Sequence, residues 1–416
     1  MPILYDIVFI FFSIFYLPVM LLKGKMHKGI LKRFYLKRDI DFGACPIWVH
    51  AVSVGEVKIA ALIIRALRKK TGRKIILSTI TLSGNNLARK ILGTEAEVIY
   101  APVDISFIVN RFIKIIKPFL FIIIETELWP NMISALKKNN VPVVLLNGRI
   151  SPPSFYGYNK VKFITRGILS KMSLFCMQTG QDSDKIIALG ANPANVKVTG
   201  NMKFDAGDYA HLEASRAVLN LHNNERLWIA ASTHDNEEEI VLRVYKRLSV
   251  RFPDLRLFIA PRHIERVEAI EKKIVESCGL EASRFSADNF KEMPRSVIIL
   301  DTIGQLSSIY KFAYVVFVGG SLVKKGGQNI IEPAYFQKPI VFGRYMFNFT
   351  HIASLYLKNN AAIEVADEGG LEEALCKILY DADYAKNIGI RAKRLISENQ
   401  GATERNLNLI SQLMRP

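Results

Sequence analysis

From residue 45 onward the chain repeats short apolar runs without polar alternation, each followed by an amphipathic stretch. "PIWVHAV", "KIILSTI", "EVIYAPV", "FLFIIIE", "PVVLLNG", "LFCMQT" and "VKVTGN" read as strands, separated by helical patterns such as 56–70 and 131–139. Runs that never alternate predict strands buried on both faces, hence parallel sheets covered by helices. The pattern breaks around "FDAGDYAHLEASRAVLNLHNNER" and restarts with "LWIAAST", "LRLFIAP", "SVIILDT", "YVVFVGG" and "PIVFG". The expectation is an α/β protein of two doubly wound, Rossmann-like domains facing a cleft. They span residues 45–205 and 226–395, with a linker over 206–225 and a C-terminal helix over 396–416. No internal repeat or low-complexity stretch is present.

The first 22 residues, "MPILYDIVFIFFSIFYLPVMLL", hold one ionisable group, Asp6. As a helix they would extend about 33 Å, roughly a hydrocarbon core, which predicts a membrane anchor at 1–22. A cleaved signal peptide would start with positive charge and end on small residues, and this segment does neither. The basic segment 23–44 follows, with seven Lys or Arg before the first acid, Asp39, and places the remainder on the cytoplasmic side of the membrane. Pro18 leaves both a spanning and a one-leaflet helix open.

At 416 residues, 50% hydrophobic and 23% charged, the chain is globular and long enough for two full cores. A net charge of +18 implies anionic partners. No nucleic-acid motif accompanies it, and basic residues are not interleaved with exposed aromatics. Cys45, Cys176, Cys278 and Cys376 are widely spaced, as free thiols of a cytosolic body would be.

In open parallel sheets ligands bind beyond the carboxyl ends of the strands. There the sequence places Glu56 in "SVGE", Glu125 and Glu127 in "ETELWPN", Arg149 in "NGR" and Lys203 in "NMKFD". The second half adds Ser232 in "STHD", Arg262 and His263 in "APRH", "DTIGQ", and Gly320, Ser321, Asn329 and Glu332 in "VGGSLVKKGGQNIIEP". Each has a plain structural explanation as a cap, turn or helix start. Together, facing one cleft, they favour a site. The glycines match neither a dinucleotide fingerprint nor a P-loop. They offer bare backbone leading into a helix at about Asn329, whose free N–H groups suit a phosphate, with Glu332 about one turn in to accept from ribose hydroxyls. No D-x-D metal motif follows a strand, so no metal and no cofactor are expected.

"HAVSVGEV", "ETELWPN", "NGRIS", "TGNMKFD", "STHD", "APRH", "FVGGSLVKKGGQNIIEPA" and "NQGA" together resemble the lipid A Kdo (3-deoxy-D-manno-octulosonic acid) transferases of Gram-negative bacteria. The resemblance implies the GT-B fold and metal-independent, inverting transfer of Kdo from CMP-Kdo to a lipid A precursor (lipid IVA) at an anionic membrane surface. It implies Glu56 as general base, with Glu125 and Lys203 supporting the transition state. It also implies CMP contacts from Pro261, Arg262, Ile303, Gly304, Gln305, Asn329, Ile330, Ile331 and Glu332. Two alternatives stand beside it: a membrane-bound GT-B enzyme using a UDP-sugar, and a non-enzymatic basic membrane-binding protein. As a helix-terminal acid Glu56 is expected to have a lowered pKa.

Overall fold

A computed structural model describes residues 5–7, 9–11, 29–36, 40–207, 219, 221–222, 224–287 and 297–414. The chain divides into two compact units, residues 1–206 with 399–416 and residues 207–398.

In the first unit, β1 (Ile47–His50), β2 (Ile75–Thr79), β3 (Glu97–Tyr100), β4 (Leu120–Ile124), β5 (Val143–Gly148), β6 (Leu174–Met177) and β7 (Val196–Val198) form one sheet. Its order is β3-β2-β1-β4-β5-β6-β7. All pairs are parallel, and Ile47 of β1 lies opposite Ile75 and Leu120. Every residue of β1, β2, β4, β5 and β6 is buried, which is why their sequences lack alternation. Successive side chains feed opposite layers. Trp48, Phe121 and Phe175 pack with Phe112, Ile133 and Ile168 of helices Ser106–Ile116, Pro130–Lys138 and Lys162–Leu169. Val49, Ile122 and Val144 pack with Ile64 and Ile410 of helices Val54–Thr71 and Ala402–Leu413.

The final helix therefore belongs to the first unit, although the 192 residues of the second, 207–398, intervene in sequence before it resumes. Asp205 fastens it: one carboxylate oxygen accepts from Gly401 N at 2.7 Å and the other from Thr403 N at 2.6 Å. Arg405 returns a hydrogen bond from Nε to the Thr199 carbonyl at 2.8 Å. The "TGNMKFD" and "NQGA" stretches are thus two sides of one joint. Replacing Asp205 by Ala should cost about 1–2 kcal/mol, the loss of a charged N-terminal cap. Hydrogen exchange should show residues 402–413 losing protection first, and unchanged protection there would contradict this role.

Of the expected membrane helix, residues 5–7 and 9–11 are described and helical, and the rest of 1–22 lies outside the described residues. No helix among the described residues is long and apolar enough to cross a membrane. Asp6 accepts from Ser106 N at 3.1 Å, from the Ser106 hydroxyl, and from Asn131 Nδ2 at 2.6 Å. The helix Ser106–Ile116 follows Ile105, which has no side-chain acceptor, so Asp6 supplies the missing cap.

The second unit repeats the plan with β8 (Arg226–Thr233), β9 (Leu255–Pro261), β10 (Ala282–Arg284), β11 (Val297–Ile299), β12 (Ala313–Val318), β13 (Ile340–Gly343) and β14 (Ile363–Val365). These pair in parallel as β10-β11-β9-β8-β12-β13-β14. The edge strands β10 and β14 were not expected. Each is only three residues long and interrupted by polar side chains, so neither shows a strand's apolar run. The acidic run at 237–239 opens helix Glu237–Arg251, as its charge predicts. The linker 206–225 lies largely outside the described residues.

Candidate active site

In both units the strand order reverses beside the first strand, between β1 and β4 and between β8 and β12. Loops diverge from such a point and leave a crevice.

Glu56 lies in the first turn of helix Val54–Thr71, directly after β1. One of its oxygens accepts from Val52 N at 2.7 Å, the other from the Ser53 hydroxyl at 2.8 Å, and its own N–H points at Ser53 Oγ 3.5 Å away. "S-V-G-E" has the spacing of a capping box, but the carboxylate reaches past the N-cap Ser53 N–H to that of Val52. The expected lowering of its pKa is wrong. Glu56 is only 9% exposed, and burial pushes its carboxyl up to about 7 against those hydrogen bonds, with Glu125 and Glu127 adding repulsion. Desolvation of a charge outweighs the helix terminus here because the carboxylate is almost out of water.

Glu125 follows β4 with φ of +60°, a left-handed conformation that non-glycine residues rarely adopt. Its Oε1 is 3.1 Å from Lys203 Nζ. Glu127 is pushed upward by burial and then by Glu125. Arg149 follows β5, where its N–H donates to Thr126 Oγ1 at 3.1 Å and its carbonyl accepts from that hydroxyl at 2.6 Å. The loops carrying Glu125, Glu127 and Arg149 are thereby tied together. Asn147, fully buried with φ of +55°, accepts from Met202 N at 2.9 Å and so fixes the turn Met202–Asp205 that presents Lys203. Three carboxylates and one ammonium result, able to take a proton and to steady positive and negative charge nearby.

In the second unit Ser232 sits in a bulge of β8 with φ of +54°. A Cβ on Gly319 would lie 2.6 Å from the Ser232 carbonyl oxygen, so glycine is required where β12 ends against this bulge. The amides of residues 320–322, at the start of the glycine-rich stretch, are already taken. Glu237, fully buried, accepts from Gly320 N at 2.6 Å, Ser321 N at 3.0 Å, Leu322 N at 2.9 Å and His234 N at 2.9 Å. Ser321 is itself buried, its hydroxyl donating to the Val318 carbonyl at 2.5 Å and accepting from Gly343 N at 2.7 Å. It ties strand ends together and does not face solvent.

A helix does follow Asn329, beginning two residues later, but it is short. A single five-residue helix runs Ile331–Tyr335, and Ile331 N already donates to Asn329 Oδ1 at 3.1 Å. Ile330 and Ile331 are buried. Glu332 accepts from Ser307 Oγ at 2.7 Å and from Asn329 Nδ2 at 3.1 Å. Ile303 is exposed beside Gly304, which has φ of +96°. Gln305 accepts from Thr302 Oγ1 at 2.5 Å.

Pro261 ends β9, and Arg262 N donates to the Thr233 carbonyl at 2.9 Å. The ring centroids of His263 and His234 are 5.8 Å apart. Burial, then His263, Lys325, Arg262 and Arg266, hold His234 down to about 4. A neutral imidazole in a cationic surround is a place for an anion. His234, Lys325 and Glu237 were missed as site residues. "STHD" and "NEEE" were legible, but contacts across β8 and β12 decide what those residues do. Among the described residues no cluster of His, Cys, Asp or Glu could hold a metal ion.

The family profile described as 3-Deoxy-D-manno-octulosonic-acid transferase (kdotransferase) matches residues 25–206. The 3-deoxy-D-manno-octulosonic acid transferase of Haemophilus influenzae is 33% identical over 378 residues, covering 88% of this chain and 88% of that protein. The Aquifex aeolicus protein of the same name is 28% identical over 358 residues, 85% of this chain and 92% of that one. Among solved structures, Staphylococcus aureus MnaA with UDP has a TM-score of 0.60 at 15% identity, covering 89% of this chain and 97% of its own. That likeness concerns the fold alone, two parallel-sheet α/β units as in GT-B glycosyltransferases. With the sequence match extending across both units, the chain belongs to the 3-deoxy-D-manno-octulosonic acid transferase family and is a glycosyltransferase.

Proposed function

We propose that this enzyme transfers Kdo from CMP-Kdo to a lipid A precursor (lipid IVA), by a metal-independent, inverting displacement at the cytoplasmic face of the inner membrane. The observation that carries it is Glu56, a buried carboxyl brought to about 7, with Glu125 and Glu127 close enough to raise it and Lys203 paired to Glu125. A base near the ambient pH takes a proton most effectively. Glu56 deprotonates the acceptor hydroxyl as it attacks the anomeric carbon. Lys203 and Arg149 steady the carboxylate that Kdo carries there, and Glu125 keeps Lys203 in place.

The second unit takes the nucleotide. Glu332 and Asn329 accept from and donate to the ribose, and Arg262, Lys325 and neutral His234 receive the phosphate. Since Glu237 occupies the amides of residues 320–322, charge neutralisation of the leaving group falls largely to these side chains. Glu332→Ala should weaken CMP binding about tenfold or more while leaving the first unit's melting unchanged, because a charged acceptor of hydroxyl hydrogen bonds is lost. Calorimetry showing unchanged CMP affinity, or UDP binding as well as CMP, would displace the nucleotide assignment.

The N-terminal segment 1–22 supplies the anchor, supported by its apolar composition and the basic tract behind it. The full chain should stay in the membrane pellet at high salt, where basic residues alone are screened. Release into the supernatant would remove the anchor. The function itself is tested by incubating the enzyme, in buffer containing EDTA, with a Kdo-free lipid A precursor and freshly generated CMP-Kdo. Mass spectrometry should show the acceptor heavier by Kdo, and no product with or without magnesium would end the proposal.

A further inference from the structure

The first unit carries a helical hairpin that is poorly buried for its composition. Helix Pro152–Lys160 has no buried residue at all. Helix Lys162–Leu169 buries only Thr165, Ile168 and Leu169. Between them Tyr156, Val161, Phe163 and Ile164 are exposed by 65%, 48%, 80% and 46%. Large apolar side chains grouped this way on a surface mark an interaction site.

Charge says what kind. From residue 128 to residue 181 there is no acid, while Lys137, Lys138, Arg149, Lys160, Lys162, Arg166 and Lys171 are all basic. Lys160 lies over the Tyr156 ring, 4.6 Å from its centroid. Lys162 and Arg166, one turn apart, line an open cavity of about 570 Å³ with Gly190, Asn192 and Asn195, of headgroup size. Exposed aromatic and aliphatic residues flanked by basic ones are the pattern of a helix lying in the interface of an anionic bilayer. The hairpin is also continuous with the N-terminal segment: Phe9 and Phe155 pack against the same core layer that contains Ile168 and Leu169.

We propose that the hairpin Pro152–Leu169 is a second membrane contact, separate from residues 1–22, which inserts Tyr156, Phe163 and Ile164 among anionic phospholipids and seats a lipid phosphate between Lys162 and Arg166. Its consequence is positional. The hairpin begins three residues after Arg149, so lying on the bilayer it holds the end of β5 at headgroup level, where a lipid acceptor presents its sugar.

The test uses the full-length protein. Phe163→Trp places a reporter at the most exposed of these four positions, and the parent's three tryptophans, Trp48 and Trp228 fully buried and Trp129 partly so, give the background to be subtracted. On vesicles containing phosphatidylglycerol its emission should shift to the blue and be quenched by phospholipids brominated in their acyl chains. On purely phosphatidylcholine vesicles the effect should be much smaller. Quenching no greater than in the parent would overturn the proposal. A blue shift without vesicles that grows with protein concentration would assign the face to a second copy instead.

A second variant, Phe163→Glu/Ile164→Glu, should transfer sugar to acceptor in vesicles about tenfold more slowly, with turnover in detergent micelles unchanged. This arm rests on the proposed activity. If the parent transfers nothing in micelles, that activity fails while the quenching result still stands. Equal loss in vesicles and micelles would make the residues part of the fold or the acceptor pocket and would overturn the membrane contact.

Discussion

Glu56→Gln is expected to turn over at least a hundredfold more slowly than the parent, with the loss mainly in kcat, while melting within a few degrees of it and binding CMP normally. General-base catalysis contributes about 10² to 10⁴ in rate, or roughly 3–5 kcal/mol of barrier. The capping contribution of the same side chain is at most about 1 kcal/mol, and Gln keeps its size and one acceptor. The pH dependence separates the two roles. Because burial raises the carboxyl to about 7, the base form is scarce below that pH. The parent's rate should therefore climb with pH and level off above about 7, and the variant's residual rate should lack this limb.

Stability runs the other way. A carboxyl whose folded pKa is raised binds its proton more tightly when folded, so its contribution to stability falls as pH rises from the ordinary carboxylate range to about 7. Gln has no such dependence. The melting temperature of Glu56→Gln relative to the parent should consequently improve across that window. Near-parental turnover with an unchanged acid limb would leave Glu56 a cap only, and Glu127, also pushed upward by burial, would become the base to examine.

Glu237→Ala should be among the most damaging single changes in the second unit. Each Glu237 oxygen takes two backbone N–H groups, one oxygen serving His234 and Gly320 and the other Ser321 and Leu322. An unpaired buried donor costs about 1–3 kcal/mol. With some relaxation, the loss of all four acceptor contacts should total about 3–5 kcal/mol, or roughly 10 °C in a unit of this size. Glu237→Gln retains one acceptor oxygen but turns an NH₂ group toward two donors, so it should fall between Ala and the parent. Calorimetric melting checks this. An alanine variant melting within two or three degrees of the parent, by the same size relation, would mean that the loop finds other acceptors. Because the four amides also place His234, CMP affinity should fall with stability in both variants.

Much of the chain follows from residue order alone. Unalternating apolar runs specify strands buried on both faces, and a strand buried on both faces belongs in a parallel sheet with helices outside. The central strands of both sheets, the helix after "SVGE" and the acid-led helix at 237 are local consequences of that kind. Strand ends are also where a chain puts chemistry, so Glu56, Glu125, Arg149 and Lys203 were legible as candidates. The edge strands β10 and β14 were not, because three-residue edges with polar side chains carry no periodic signal.

What tertiary structure decided concerns environment. Glu56 has the same sequence neighbours whether its pKa lies low or near 7, and only the surrounding burial sets the cost of its charge. Glu237 reads as one more acid in a helix start until β12 brings the amides of 320–322 against it. Asp205 reads as the end of a motif until the chain returns, nearly 200 residues later, to put Gly401 and Thr403 on its oxygens. Local pattern determines which elements form, since periodicity and caps act within a few residues. The protonation and partners of a side chain depend on groups remote in sequence, and desolvation and hydrogen bonding act only once folding has brought those groups together.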